Sequence, residues 1–148
     1  MNATQIAPTS RARETAPGDE EATVELKLGE FQDVPSLTLS EARILINAVI
    51  EHRKAQQKVE ETEVLLKTQD YLDVFARFKQ KENTEAVERL LSQHGELEPF
   101  ERSQLGSLCF DSAEEAKTLV PSLQNKISDG DLQELLDEIT KLRNSFAD

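Results

Sequence analysis

The sequence has few of the residues that build disulfides, metal sites or aromatic-rich cores. Its 148 residues include one cysteine, two histidines, one tyrosine and no tryptophan. A single cysteine, Cys109, excludes an internal disulfide, and a structural zinc site is not expected because it takes four Cys or His ligands. Such cysteine usage is typical of a reducing compartment, the nucleus or the cytosol. The core therefore has to consist mainly of Leu, Ile, Val and Ala.

Long apolar runs and an excess of positive charge are also missing. No segment approaches the roughly 20 apolar residues of a membrane-spanning helix, and no secretory signal is recognisable at the N-terminus. The formal net charge is −12 at pH 7, so the chain should repel phosphate backbones and anionic lipid surfaces. The one local group of cations, Arg77, Lys79 and Lys81, could contact RNA phosphates, but a solvated helix end is the favoured interpretation. We expect no membrane association and little RNA binding by the chain alone.

Sequence signatures of catalysis are missing as well. None of the five glycines falls in a phosphate-binding pattern. His52 and His94 lie far apart in the sequence among polar residues, which is typical of surface histidines. Cys109 has no adjacent cation to activate it, so its position between Leu108 and Phe110 favours a small buried hydrophobe. We expect a non-catalytic protein without metal or cofactor.

The N-terminal region divides into a tail and a short alternating segment. Residues 1–22 are rich in small polar residues, which predicts a disordered tail. Thr23–Gly29 then alternates apolar and polar residues and predicts a half-buried strand with Val24, Leu26 and Leu28 on one face. No second strand is recognisable, so its edges would stay unpaired. Two interpretations remain open: strand addition to a partner's sheet, or an irregular extended segment that packs on the chain's own helices.

Two long helices are predicted next. Thr38 and Glu41 form a capping box for a helix from Leu39 to about Lys58. Ile46 and Ile50 widen its apolar stripe, which suggests contacts on more than one side. The stripe itself consists of Ile44, Leu45, Ala48 and Val49. A second helix is predicted from Glu60 or Glu61 to Phe78. Its apolar face has spacings of three and four residues and comprises Val64, Leu65, Thr68, Tyr71, Leu72, Phe75 and Phe78.

Four shorter helices are predicted from residue 83 onward. Asn83-Thr84 should cap the third, with Gly95 after its end, and Pro99 should begin the fourth. The fifth should begin at about Asp111-Ser112 and end before Pro121. The residues expected to face inward on the fourth and sixth helices are Phe100, Leu105, Leu108, Leu132, Leu135, Leu136, Ile139 and Leu142, with Phe146 just beyond.

Several blocks of sequence, in this order, carry a family resemblance. They are 26–29 (Leu-Lys-Leu-Gly), 39–46, 51–53, 75–79, 100–102 with 105–109, 114–123 and 132–139, of which 114–123 is the most specific. Together they closely resemble the family of the fourth-largest subunit of RNA polymerase II, a relative of the F component of the archaeal RNA polymerase. The resemblance covers about residues 24–148. The stretch 56–63 is short compared with some fungal members, so a function of a long acidic insert there should not be transferred.

The resemblance implies a fold and a mode of action. The fold is mainly α: an HRDC-like helical domain over 83–148, preceded over 23–82 by a strand and helices that wrap a partner subunit. The implied partner is the seventh polymerase subunit, which contains an OB-type barrel and forms a stalk with this chain near the clamp of the polymerase core. The implied role is nuclear: support of initiation and recruitment of processing and termination factors, with RNA contact mainly through the partner.

The residues expected to bind the partner are Val24, Leu26, Leu28, Ile46 and Ile50. Two other functions are compatible with a helical chain of this size. One is a free-standing HRDC-like nucleic-acid-binding module, which would need a basic face. The other is an acidic scaffold protein unrelated to transcription. A stoichiometric barrel-containing partner would favour the stalk subunit, whereas direct nucleic-acid binding would favour the module.

Overall fold

The computed structural model describes residues 22–145, which are mainly helical. Their α-helices are α1 (Leu39–Ala55), α2 (Glu63–Phe75), α3 (Lys81–Ser92), α4 (Pro99–Leu108), α5 (Ala113–Leu119) and α6 (Asp129–Asn144). Short 3-10 turns lie at Gly29–Phe31 and Pro121–Leu123. The predicted mainly α fold is confirmed, and its HRDC-like character stays a prediction. None of the helices in residues 22–145 has the length and apolar character needed to cross a bilayer.

The predicted N-terminal strand is not formed in the single chain. Ala22 and Leu26 make one isolated antiparallel bridge, and residues 23–25 bend between them. The physical reason is that residues 22–145 offer no second strand to pair with the segment's N–H and C=O groups. Gly29 ends the segment with φ of +58°, a left-handed conformation that suits glycine. Formation of the strand on a partner's sheet stays a prediction, and the predicted tail lies outside the described residues except for Ala22.

Helix starts follow the predicted capping chemistry in most places. Thr38 Oγ1 accepts a hydrogen bond from Glu41 N at 3.2 Å, and Glu41 Oε1 accepts one from Thr38 N at 3.1 Å. Both bonds of the capping box are therefore present. Pro99 occupies the first turn of α4, while Ser112 and Ser128 cap α5 and α6.

Both predicted long helices are shorter than expected. α1 ends at Ala55 because Gln57 adopts φ of 55°, and Lys58 N donates back to Arg53 O at 2.9 Å. This is a Schellman-type ending built on a glutamine, so no glycine marks it in the sequence. α2 begins at Glu63, capped by Thr62, and ends at Phe75 because the backbone turns extended at the next residue.

Three further sequence predictions were wrong. Asn83 and Thr84 do not cap α3; the helix begins earlier, at Lys81, and both side chains are buried within it. Gly95 does not adopt the left-handed conformation of a helix-ending glycine. Leu108 is also exposed rather than inward, because α4 ends there and Cys109 takes the left-handed C-cap position.

The core lies among α3, α4, α5 and α6, which we call the helical cluster. The stripe predicted on α6 is confirmed, since Leu132, Leu135, Leu136 and Ile139 are all buried. Phe146 lies outside the described residues. Phe78, in the link between α2 and α3, is 3% exposed and inserts into the same core. Burial of one such large apolar side chain stabilises the fold by about 1.5–3 kcal/mol.

The N-terminal helices are attached directly to this cluster. α1 packs on α2 and also on α3 and α4. The predicted division between residues 82 and 83 falls inside the first turn of α3. We use the name α1–α2 hairpin for residues 39–75, because its two helices are joined by a short connection and pack on each other.

Candidate partner-binding surface

The α1–α2 hairpin exposes a large amount of apolar surface. On α1, Leu45 and Val49 are 51% and 48% exposed. Four apolar side chains of α2 are at least half exposed: Val64, Tyr71, Val74 and Phe75. Single exposed apolar residues are normal on protein surfaces, but a contiguous group of them marks an interaction site.

The exposed group on α2 follows from its helical periodicity. Leu65 and Leu72 face α1, and Leu72 is buried. Because successive residues rotate by about 100° around a helix, Val64 and Tyr71 lie on a line roughly a quarter-turn away from that buried face. Phe75 lies one turn after Tyr71 on the same side of the helix, and the two rings contact each other with centroids 4.6 Å apart. The helix is therefore apolar over a wider arc than α1 covers.

An apolar groove lies beside this surface. It has a volume of about 280 Å³ and runs between α1 and the connection that leads into α2. Its lining comprises Leu45, Ile46, Val49, Ile50, Arg53, Val59, Glu60 and Leu65. The groove is open to solvent in the single chain and has the apolar walls that suit a side chain from another polypeptide.

The stretch that precedes α1 adds a second set of exposed apolar side chains. Val24 and Phe31 are 55% and 74% exposed, and Val34 and Leu37 are also exposed. Leu28 is half-buried, and its backbone N–H donates to Gln32 Oε1 at 3.1 Å. Most of this stretch is exposed and it precedes the first α-helix, so it can change its conformation at low cost.

The predicted site residues occupy different environments. Val24 is exposed, and Leu26 and Leu28 are half-buried. Ile46 is half-buried in the groove wall, whereas Ile50 is only 8% exposed and mainly supports the hairpin from inside. Sequence analysis placed Leu45, Val49 and Val64 on apolar helix faces without identifying them as accessible, and it did not name Val74. The usable signal was the width of the apolar arc on each helix, which exceeds what one neighbouring helix can cover.

An ion pair and two hydrogen bonds to backbone carbonyls hold the hairpin at its open end. Arg43 Nε donates to Asp73 Oδ1 at 2.9 Å, and Arg43 Nη1 donates to Lys79 O at 3.3 Å. Lys79 Nζ donates to the backbone carbonyl of Asp73. Of the predicted basic group, Lys79 is therefore used within the fold, and Lys81 pairs with Glu85 in α3.

The histidines and the acidic residues form no reactive constellation in residues 22–145, where no group of three potential metal ligands occurs. His52 contacts Gln56, one turn away in α1, at 3.1 Å. His94 Nδ1 lies 3.0 Å from Glu96 Oε1. A backbone hydrogen bond and the contact with His94 together lower the pKa of Glu96 below its ordinary value of 4.5. These are local surface pairs of the kind found at helix ends.

Cys109 is buried, as its apolar neighbours predicted. Burial raises the pKa of its thiol above the ordinary value of 9.0, and the nearby cations Arg143 and Arg77 offset part of that effect. The thiol is therefore protonated at neutral pH and is a poor nucleophile.

Comparison with known proteins agrees with the sequence blocks. The model of the family RNA polymerase Rpb4 matches residues 36–143. The chain belongs to this family. A relative in Schizosaccharomyces pombe, "DNA-directed RNA polymerase II subunit rpb4", is 50% identical over 127 residues, which is 84% of this chain and 93% of the relative. The Rpb4 match includes all six helices apart from the last residue of α6.

Two further relatives of the Rpb4 family have similar names. "DNA-directed RNA polymerase II subunit RPB4" of Saccharomyces cerevisiae is 50% identical over 82 residues, 55% of this chain but only 37% of that longer protein. A Dictyostelium discoideum "DNA-directed RNA polymerase II subunit rpb4" is 36% identical over an alignment of 129 residues that covers 71% of this chain and 82% of the relative. The predicted resemblance to the fourth-largest polymerase subunit is therefore confirmed.

Proposed function

We propose that this chain is a non-catalytic subunit of RNA polymerase II that forms the stalk heterodimer with the seventh, OB-barrel-containing subunit. The observation that carries the proposal is the apolar surface on the α1–α2 hairpin and on the stretch before it. Membership of the Rpb4 family supports the assignment to the polymerase. The chain acts by holding its partner, and catalysis belongs to other subunits of the complex.

The partner is bound by two adjoining parts of the chain. Val24, Leu26 and Leu28 add a strand to the partner's sheet, since residues 22–145 themselves offer no edge for them. The α1–α2 hairpin contributes its exposed apolar arc, in which Val64 and Val74 are 74% and 72% exposed. Exposed aromatic side chains in such a surface commonly dominate the binding energy, and Tyr71 and Phe75 are the aromatic residues of this arc.

The acidic charge of this chain is consistent with RNA contact being made mainly by the other subunit of the stalk. A net charge of −12 disfavours phosphate contact by this chain, so the partner supplies most of the RNA-binding surface. The pair docks near the clamp of the polymerase core. In the nucleus it supports initiation and offers a surface to processing and termination factors near the emerging RNA.

A matched pair of substitutions on α2 tests the hairpin part of the proposal. Val64→Asp places a carboxylate on the exposed arc, whereas Leu66→Asp makes the corresponding change on nearly the opposite side of the helix, two residues away. Both sites are exposed and both are in the first turns, so the two variants should fold alike. Val64→Asp should weaken binding of the purified seventh subunit at least roughly tenfold, and Leu66→Asp should change it by less than about threefold.

Isothermal titration of the two purified subunits gives the affinities, and circular dichroism checks that each variant is folded. Equal affinities for both variants would contradict use of the exposed arc. Failure of the unmodified chain to bind the seventh subunit would contradict the proposed heterodimer itself. Tight RNA binding by the chain alone would favour the nucleic-acid-binding module instead.

A further inference from the structure

Gly106, in the last turn of α4, lies directly against Thr38 at the start of α1. A Cβ atom added to Gly106 would be 2.6 Å from Thr38 Cγ2 and 3.0 Å from Leu91 Cδ1. The first distance is shorter than carbon atoms tolerate. Gly130 in α6 differs, because an added Cβ there would meet nothing within 4 Å. Since glycine weakens a helix interior relative to alanine, its presence at 106 has a specific packing reason: it admits the Thr38 side chain.

Two serines of α4 complete the contact around Gly106. Ser107 Oγ accepts a hydrogen bond from Leu39 N at 3.1 Å. Ser103 Oγ donates one to Leu37 O at 2.7 Å. Leu39 N is one of the N–H groups that the first turn of a helix leaves without an intrahelical partner. The first turn of α1 is therefore satisfied partly by α4 and not only by its own capping box.

The other end of the hairpin is tied to the same turn of α1. Ser40, which is 1% exposed, accepts a hydrogen bond from Phe78 N at 3.1 Å. Phe78 is inserted in the core of the helical cluster. The chain thus enters and leaves the α1–α2 hairpin within one turn of Thr38, and that turn rests on Gly106.

We propose that the contact between Thr38 and Gly106 is the joint that sets the orientation of the α1–α2 hairpin relative to the helical cluster. Gly106 is accordingly a positioning residue: it touches no partner but determines the direction in which the exposed apolar arc is presented. The link to partner affinity rests on the proposed function, whereas the orientation itself is a property of the single chain.

A compensating pair of substitutions tests the joint. Gly106→Ala introduces the clash, and Thr38→Ser removes the methyl group that causes it while keeping the hydroxyl that caps α1. Leu91 Cδ1 is the end of a flexible side chain and can move aside. Gly130→Ala is the control for the higher helix propensity of alanine, because that site is open. Gly106→Ala should weaken binding of the seventh subunit roughly tenfold, and the double variant should recover to within about threefold of the unmodified chain.

The orientation is measured without any partner. Spin labels are attached to cysteines introduced at Asp70 in α2 and Lys141 in α6, both exposed, and the distance between them is determined by pulsed electron paramagnetic resonance. Cys109 stays unlabelled because it is buried. Gly106→Ala should shift or broaden the distance distribution, the double variant should restore it, and Gly130→Ala should leave it unchanged.

The outcomes distinguish a contact that sets the orientation of the hairpin from one that only stabilises the fold. A lower melting temperature of Gly106→Ala with an unaltered distance distribution would overturn the proposal, as would failure of Thr38→Ser to restore the distribution. If Gly106→Ala is too unstable to label, Thr38→Ser alone opens a gap at the joint and should broaden the distribution; an unchanged distribution would again overturn it. The spin-label distance could shift in Gly106→Ala even though the unmodified chain does not bind the seventh subunit. That result would support the joint and refute the proposed heterodimer.

Discussion

Lys126 donates a 2.8 Å hydrogen bond to Glu101, whose side chain has no solvent exposure. The same carboxylate accepts from Glu98 N at 2.7 Å and from the Ser122 hydroxyl. It therefore links the start of α4 to the turn after α5 and to the segment before α6. A buried charge persists only when it is paired and hydrogen-bonded, and both oxygens of Glu101 meet that condition.

Removal of the lysine should destabilise the fold. Lys126→Ala leaves the Glu101 carboxylate buried without its cation, so we expect the free energy of unfolding to fall by about 2–4 kcal/mol. Lys67→Ala is the control, because Lys67 pairs with Glu63 on the surface of α2 with 74% of its side chain exposed; its effect should stay below about 0.5 kcal/mol. Urea denaturation followed by circular dichroism measures both. If both variants lost similarly little unfolding free energy, the buried Lys126–Glu101 pair would contribute little to stability.

The buried thiol predicts a dependence on pH. The pKa of Cys109 is raised in the folded chain from its ordinary value of 9.0, because burial penalises the thiolate. Above pH 9.0 the unfolded chain loses this proton while the folded chain retains it, so the contribution to stability is complete below that pH and is lost as pH rises through the folded pKa. Stability should therefore fall more steeply above pH 9.0 in the unmodified chain than in Cys109→Ala. Parallel urea denaturation curves between neutral and alkaline pH measure this difference, and identical slopes would contradict it.

The isolated chain should not bind RNA appreciably. Its net charge is −12, and within residues 22–145 Lys79 and Lys81 already pair with neighbours in the fold. At physiological salt we expect no saturation of a labelled single strand at protein concentrations up to roughly 100 µM. Fluorescence anisotropy is the measurement, with the complex with the seventh subunit as the positive control. Binding below that concentration that weakens steeply with salt would contradict the prediction, and its loss in Arg77→Ala would locate the site.

Sequence reasoning succeeded where a pattern is repeated over several turns. The α6 stripe from Leu132 to Ile139 is buried as predicted, because four apolar residues at helical spacing leave one possible inner face. It failed where one local signal competed with tertiary contacts. Asn83 and Thr84 are good capping residues, yet α3 starts two residues earlier, and both side chains are buried in the packed interior.

The sequence indicates the exposed arc only in part and does not indicate the buried carboxylate at all. The apolar face predicted for α2 omitted Leu66 and Val74, and periodicity alone does not say that Leu72 faces α1 while Tyr71 faces solvent. Glu101 is an ordinary acidic residue in the first turn of a helix, and only the fold brings Ser122 and Lys126 to it. The packing role of Gly106 was likewise not predictable, because it depends on contact with Thr38, which lies 68 positions earlier in the sequence.

The segment from Val24 to Leu28 should become a strand only on the partner's sheet. In the single chain it bends, with one isolated bridge between Ala22 and Leu26. On a sheet, Val24, Leu26 and Leu28 would share one face. Their burial would stabilise the complex by roughly 1.5–3 kcal/mol each before the cost of ordering the segment. Each backbone hydrogen bond to the partner would add about 0.5–1.5 kcal/mol.

Leu26→Pro and Leu26→Ala distinguish a paired strand from a loosely packed segment. Alanine removes most of the leucine side chain, whereas proline keeps three of its four carbons in a ring but removes a backbone donor and fixes φ, which a strand inside a sheet tolerates poorly. Leu26→Pro should therefore lower the affinity for the seventh subunit at least roughly tenfold more than Leu26→Ala does. Both should keep the helical circular dichroism of the unmodified chain, because residue 26 precedes α1 and lies outside the helices of residues 22–145. Equal, small losses of affinity would mean that the segment is not paired as a strand, and partner binding would then have to rest on the α1–α2 hairpin alone.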